Sequence, residues 1–152
     1  MNTDMKHVLF LCILLGLCPI APGQSNWPAF RGADARGVAD NAALPEHWSA
    51  TENVRWKRDV AGRGWSSPVV WGDRLFLTTV VNEGKTEAVK RGLYFGGERR
   101  DAPTTTHRWK TLCLDLSTGK TLWERAAHQG KPSHGHHVKS SYASETPVTD
   151  GE

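Results

Sequence analysis

After residue 60 the chain carries short stretches in which apolar and polar positions follow a period of two, the pattern of strands with one packed and one solvated face. Leu112 and Leu114 alternate with Thr111, Cys113 and Asp115, and apolar positions return at Leu122 and Trp123. Between them lies Ser117-Thr118-Gly119-Lys120. Gly119 can take a positive φ at no steric cost, and Asp115 or Ser117 can offer a side-chain oxygen to nearby backbone N–H groups, so residues 109–125 predict a β-hairpin with a physical cause for its turn. Upstream, Arg74 to Val81 has the β-branched and aromatic content that pleated sheets favour. The pattern predicts four strands: A over Ser66–Val70, B over Arg74–Val81, C over Trp109–Asp115 and D over Thr121–Arg125. No stretch after residue 23 has a helical period.

Strands A to D fill the span Trp65 to Arg125, apart from an insertion from Asn82 to Arg108; without it about 34 residues remain, near the ~40 of a four-stranded antiparallel unit. Up-down-up-down strands place the A–B and C–D turns at one end and the B–C and D–A connections at the other. Gly72-Asp73 and Ser117–Lys120 fall at the first end. The two long loops, 82–108 and 126–145, fall together at the second, where a rigid scaffold would carry a binding surface.

The chain also repeats itself. Trp56-Lys57-Arg58 stands where Trp123-Glu124-Arg125 stands later, and each is followed by a Pro-Val pair: Pro68-Val69-Val70-Trp71-Gly72-Asp73 in the first copy, Pro147-Val148-Thr149-Asp150-Gly151-Glu152 in the second. Trp, then Pro-Val, then Gly and an acid, in order, is the signature of a repeated supersecondary unit. On this pattern Trp56 lies on the outer strand of a preceding, incomplete unit, and residues 146–152 begin the next.

The stretch from Leu114 to Trp123 resembles the closing motif of the pyrroloquinoline-quinone (PQQ)-type β-propeller repeat, D-x-x-T-G-x-x-x-W, here Asp115, Thr118-Gly119 and Trp123. Asn26-Trp27-Pro28-Ala29-Phe30-Arg31-Gly32 resembles the W-P-x-F-R-G opening of secreted bacterial members. The resemblance implies an all-β fold, a β-propeller of four-stranded antiparallel blades, with 48–152 supplying about one and a half blades of a ring that needs ~4 to 8. The sequence is accordingly expected to be the N-terminal piece of a longer protein. In this family the tryptophan docks between neighbouring blades, so truncating Trp123 to alanine is expected to destabilise the full-length fold by about 3 to 5 kcal/mol, as for a buried aromatic.

Residues 1–23 have the layout of a secretory signal: Lys6 and His7, an apolar run from Val8 to Leu17, and small residues Ala21 and Gly23 ahead of a cleavage point between Gly23 and Gln24. The run is too short to span a bilayer comfortably, so no membrane span is expected once it is removed. Secreted or periplasmic export follows. Cleavage removes Cys12 and Cys18, leaving Cys113 as the one thiol, expected to be a small buried apolar residue with no disulfide partner. Residues 24–47 form a lead-in expected to pack on the propeller, because burying Trp27 and Phe30 is worth about 1.5 to 3 kcal/mol each. Seven Trp beside 15 Gly and 8 Pro suit a turn-rich β protein with ring packing, and a net charge of +3 is too small to argue for nucleic acid.

The first loop carries Lys85, Lys90, Arg91, Arg99, Arg100 and Arg108 against Glu83, Glu87, Glu98 and Asp101, around Tyr94-Phe95-Gly96-Gly97; a solvated loop pinned by its two rings is favoured over an acidic or aromatic contact surface. In the second, His134 with His136 or His137 can supply two ligands to zinc, copper or iron, but no Cys or close carboxylate completes a set, so no metal site is assigned. The resemblance favours an architectural role for His134–His137 with Ser140–Ser144. No nucleophilic triad, phosphate-cradling loop or spaced zinc motif is present, and no catalytic or cofactor-binding residue is assigned.

Two functions remain. The favoured one is an exported, non-catalytic propeller that scaffolds or binds a protein or polymer on the loop face formed by 82–108 and 126–145, as similarity to the propeller lipoprotein of the outer-membrane β-barrel assembly machinery implies. The other is a PQQ-dependent dehydrogenase of alcohols or sugars, which would need PQQ, calcium, an Asp base, an adjacent-Cys disulfide and calcium-liganding acids; none of these acids can be placed in the sequence.

Overall fold

The computed structural model describes residues 26–40, 43–85 and 99–151. The signal segment, its cleavage point and Tyr94-Phe95-Gly96-Gly97 lie outside them. Four strands form one antiparallel sheet in the order β1-β2-β3-β4: β1 Val69–Trp71, β2 Arg74–Asn82, β3 His107–Asp115 and β4 Thr121–Gly130. Among the described residues there is no α-helix, and one 3-10 turn, Ala33–Ala35, lies in the lead-in. The molecule is all-β, and the sheet is open.

Register explains the core. Leu75 pairs with Leu114 and Leu77 with Leu112, while Phe76 pairs with Cys113 and Val80 with Trp109, so each face of β2 and β3 carries its own apolar set. Leu112, Cys113 and Leu114 are consecutive and all buried, which requires both faces to be covered. On one face Trp56 to Pro68 and Val138 line a cleft with Leu75, Leu77 and Leu114. On the other, Tyr142 meets the rings of His107 and Trp109, and Phe76 lies 6.0 Å from Trp123.

Strand A is shorter than Ser66–Val70. Ladder pairing begins only at Val69, because the Ser66 hydroxyl takes the place of a backbone pair: it accepts from Thr78 N at 3.1 Å and donates to Thr78 O at 3.3 Å. Before this break Arg63 bridges Val80 through two backbone bonds of 2.9 Å. Strand D, in contrast, runs five residues beyond Arg125, because Ala126, His128, Gln129 and Gly130 find partners on His107 to Lys110, with Ala127 skipped at a register shift. The second long loop therefore starts after Gly130, and the first spans 83–106, since Asn82 belongs to β2 and His107 and Arg108 to β3.

Trp56 is not on an outer strand. Instead its side chain holds it to the hairpin: the indole N–H donates to Leu116 O at 2.9 Å, and the ring lies so close to Gly119 that a Cβ there would sit 2.6 Å from it. Arg58 donates to Gly119 O at 2.6 Å and Thr121 Oγ1 at 2.9 Å. Trp123, expected to be buried, is 37 % exposed.

The lead-in joins the free edge of β1 through Trp27, which exchanges backbone bonds of 2.7 and 2.9 Å with Val70. Trp27 is half-buried, whereas Phe30 remains 58 % exposed, so the gain expected from burying both rings is realised only in part. Thr146 to Gly151 form no ladder among the described residues. They run beside the first copy instead, with Ser67 N donating to Thr146 Oγ1 and Thr149 N to Pro28 O.

Candidate binding face at the loop end

The B–C loop leaves and returns through a polar neck. Asn82 Oδ1 accepts from Gly84 N at 2.9 Å and from Thr105 Oγ1 at 2.7 Å, and Glu83 N donates to Thr106 O at 2.9 Å. Glu83 then ties the neck to its neighbours: Arg108 Nη2 lies 2.7 Å from its carboxylate, and Gln129 on β4 donates to the same oxygen at 3.3 Å. A carboxylate side chain thus holds three strand ends together.

The two long loops meet in a short antiparallel bridge. Arg99 pairs with His137, and Arg100 N donates to His136 O at 2.8 Å. Gly135 permits the approach, because a Cβ there would overlap the Arg100 carbonyl. Beneath the bridge lies an aromatic and imidazole cluster: Tyr142 stands edge-on to His136 at 4.6 Å and to His107 at 5.4 Å, and Trp109 lies 5.0 Å from His128. Tyr142 Oη donates to His134 O at 2.8 Å, and Trp109 Nε1 donates to Tyr142 O at 2.7 Å. Burial pushes the Tyr142 phenol above its ordinary pKa, so the hydroxyl stays a donor.

The imidazole tautomers follow from their partners. His107 Nδ1 faces Thr105 O at 3.0 Å and His136 Nδ1 faces His137 O at 2.7 Å; a carbonyl only accepts, so both carry the proton on Nδ1 and leave Nε2 unspent. His137 differs, accepting at Nδ1 from Lys139 N at 3.2 Å. His134 meets the Ser133 hydroxyl at 2.7 Å, both residues being exposed to water. The three loop histidines are each engaged locally, and among the described residues no three His, Cys, Asp or Glu gather as a ligand set.

A cavity of about 180 Å³ opens beside this cluster, walled by Arg63, Asn82, Arg100, Asp101, His107, His136, Ser141 and Tyr142 among others. A larger cleft of about 490 Å³, with Trp56, Trp65 and the leucines of β2 and β3 in its walls, lies along one sheet face. Cys113 is fully buried and its thiol is raised in pKa chiefly by that burial, which keeps it from acting as a thiolate.

Of the residues singled out from sequence, Arg99, Arg100, His136 and His137 come together here, while His134 stays at the exposed edge. Arg63 and His107 were missed. His107 had a signal, since it lies two residues before Trp109 and shares its face of the strand; Arg63 had none, because only its bridge to Val80 carries it to this end.

No protein-family model matches the chain, and no curated protein or solved structure matches it either.

Proposed function

We propose that this chain belongs to an exported PQQ-type β-propeller that works as a scaffold, docking a protein or polymer on its loop end without chemistry or a cofactor of its own. The observation that carries this reading is the Arg99–His137 bridge, which ties the returning end of the first long loop to the second at the end of the sheet. The blade reading draws support from Trp56. Its ring rests on the Thr118-Gly119 turn of the following repeat, the place where the family resemblance puts an inter-blade tryptophan. On the same reading the 490 Å³ cleft lies where the rest of a neighbouring blade belongs, so the binding face is assigned to the loop end. The signal-like segment 1–23 supplies the route out of the cytoplasm, and the mature chain would start at Gln24.

A photo-crosslinking residue placed at His134, exposed on the loop end, tests the docking face in cells that produce the full-length protein. A discrete adduct is expected there and none from Lys120 at the opposite end. Equal adducts from both ends would reject a loop-end face, and dye-linked alcohol or sugar oxidation after reconstitution with PQQ and calcium would replace the scaffold with the dehydrogenase.

A further inference from the structure

Arg63 is half-buried and fixed in place by its two backbone bonds to Val80, yet its guanidinium has no hydrogen-bond or ion-pair partner among the described residues. Guanidinium is charged at every physiological pH and carries five donors in a planar fork shaped for oxyanions. None of the Arg63 side-chain nitrogens is buried from water, so an acceptor from outside can reach it.

Arg63 lines the 180 Å³ cavity together with His107 and His136, from three separate segments of the chain. Both imidazoles have their Nδ1 proton committed to a backbone carbonyl, and both are braced edge-on against Tyr142, so each is oriented and each keeps Nε2 uncommitted. In the neutral ring that Nε2 is an acceptor, so it donates to an oxyanion only in the imidazolium form, as a guanidinium N–H does at every pH. Among the described residues Asp101, itself exposed, is the one carboxylate in the wall, which leaves the Arg63 guanidinium to set the preference for an anion. The cavity is smaller than the ~300 Å³ at which drug-sized pockets begin, which limits the occupant to a small group.

We infer that Arg63, His107 and His136 form a recognition site for a small oxyanion, a carboxylate, sulfate or phosphate group carried by the docked partner or free in solution. The inference rests on the reading of the loop end as a binding face and names the chemistry that face selects.

The test is titration of the full-length protein with sodium acetate, sulfate and phosphate at constant ionic strength set by chloride, followed by calorimetry and by amide chemical shifts. Saturable binding of at least one of the three is expected, with shifts at Arg63, His107 and His136, and the preferred anion identifies the group. Arg63→Gln should weaken it about tenfold or more, Arg63→Lys less, and Arg36→Gln, at a remote exposed pair with Asp40, not at all. His136→Gln, on a loop and outside the sheet, gives a second reading should Arg63→Gln fail to fold, and a several-fold loss is expected. Absence of saturable binding by all three anions, or binding untouched in Arg63→Gln and His136→Gln, would overturn the site. Failure of the anion titration with the His134 adduct intact would remove this site alone; loss of the adduct with anion binding retained would remove the scaffold reading alone.

Discussion

At the turn end of the sheet, Asp115 accepts from the Ser117 hydroxyl, the Thr118 hydroxyl and Thr118 N, each at 2.7 Å, so one carboxylate organises a hairpin from within three residues of itself. At the loop end local bonds, such as Gly84 N to Asn82 Oδ1, orient single groups, but Arg63, His107 and His136 come to one cavity from segments far apart in the chain. The turn end is a product of short-range chemistry capped by one distant ring, Trp56. The loop end is a product of packing, and its groups are therefore free to differ in what they bind without disturbing the sheet.

Trp56→Ala should break the turn end most severely. It removes a half-buried ring and an indole hydrogen bond to Leu116 O, and we expect a loss of about 2 to 4 kcal/mol in urea denaturation. Trp123→Ala should cost only about 1 kcal/mol, because the ring is already 37 % exposed. That figure is for residues 1–152 alone; in the full-length fold, where the resemblance would place a following blade against the ring, the expectation is about 3 to 5 kcal/mol. Equal losses for the two variants would erase the distinction between the Trp56 contact and its later counterpart.

Two glycines sharpen the comparison at smaller scale. Gly119 has φ +70° and faces the Trp56 ring, so Gly119→Ala is strained twice over and should destabilise the whole fold by about 1 to 3 kcal/mol. Gly135→Ala should instead push the Arg100 carbonyl away. Hydrogen exchange at the Arg100 amide, bonded to His136 O, should accelerate while the amides of β2 and β3 keep their protection. Loss of protection across the sheet in Gly135→Ala would show the two ends to be one cooperative unit.

The smallest effect is electrostatic. The hydroxyls of Ser117 and Thr118, and then Thr118 N–H, pull the Asp115 pKa down from 3.8 to about 2. A carboxylate with a depressed folded-state value stabilises the fold fully above its unfolded value and loses that contribution as pH falls through the folded one. The stability advantage of the wild type over Asp115→Asn should thus be constant above about pH 4 and shrink toward pH 2. Denaturation midpoints measured across that range check it; a difference that persists unchanged at pH 2 would mean that the shape of the side chain, and not its charge, holds the turn.

Strands β2 and β3 were legible from residue pattern because Leu75, Leu77, Leu112 and Leu114 repeat at the spacing that a sheet face demands. The hairpin turn was legible for a similar reason, since Asp115 and Gly119 act on their immediate neighbours. The last five residues of β4 were not, because Ala126-Ala127-His128-Gln129-Gly130 has little strand character of its own and is held by pairing with β3. Nor was the break at Ser66, where a hydroxyl stands in for a backbone pair. The binding face was legible in outline, as two long loops at one end, and illegible in detail: His107 looked like the tail of an insertion, and Arg63 like part of a glycine-rich turn.

The amino-acid order by itself determined the elements whose cause lies within a few residues: the alternating strands, the Asp115 turn, and the burial of Cys113 between two leucines. Only the tertiary structure decided which distant groups share a cavity, where Trp56 rests, and why Arg63 stands beside two imidazoles. The reason is range: a turn or a strand is selected by forces acting over a few bonds, whereas a site assembled from three segments exists only after the sheet has set the register that brings them together.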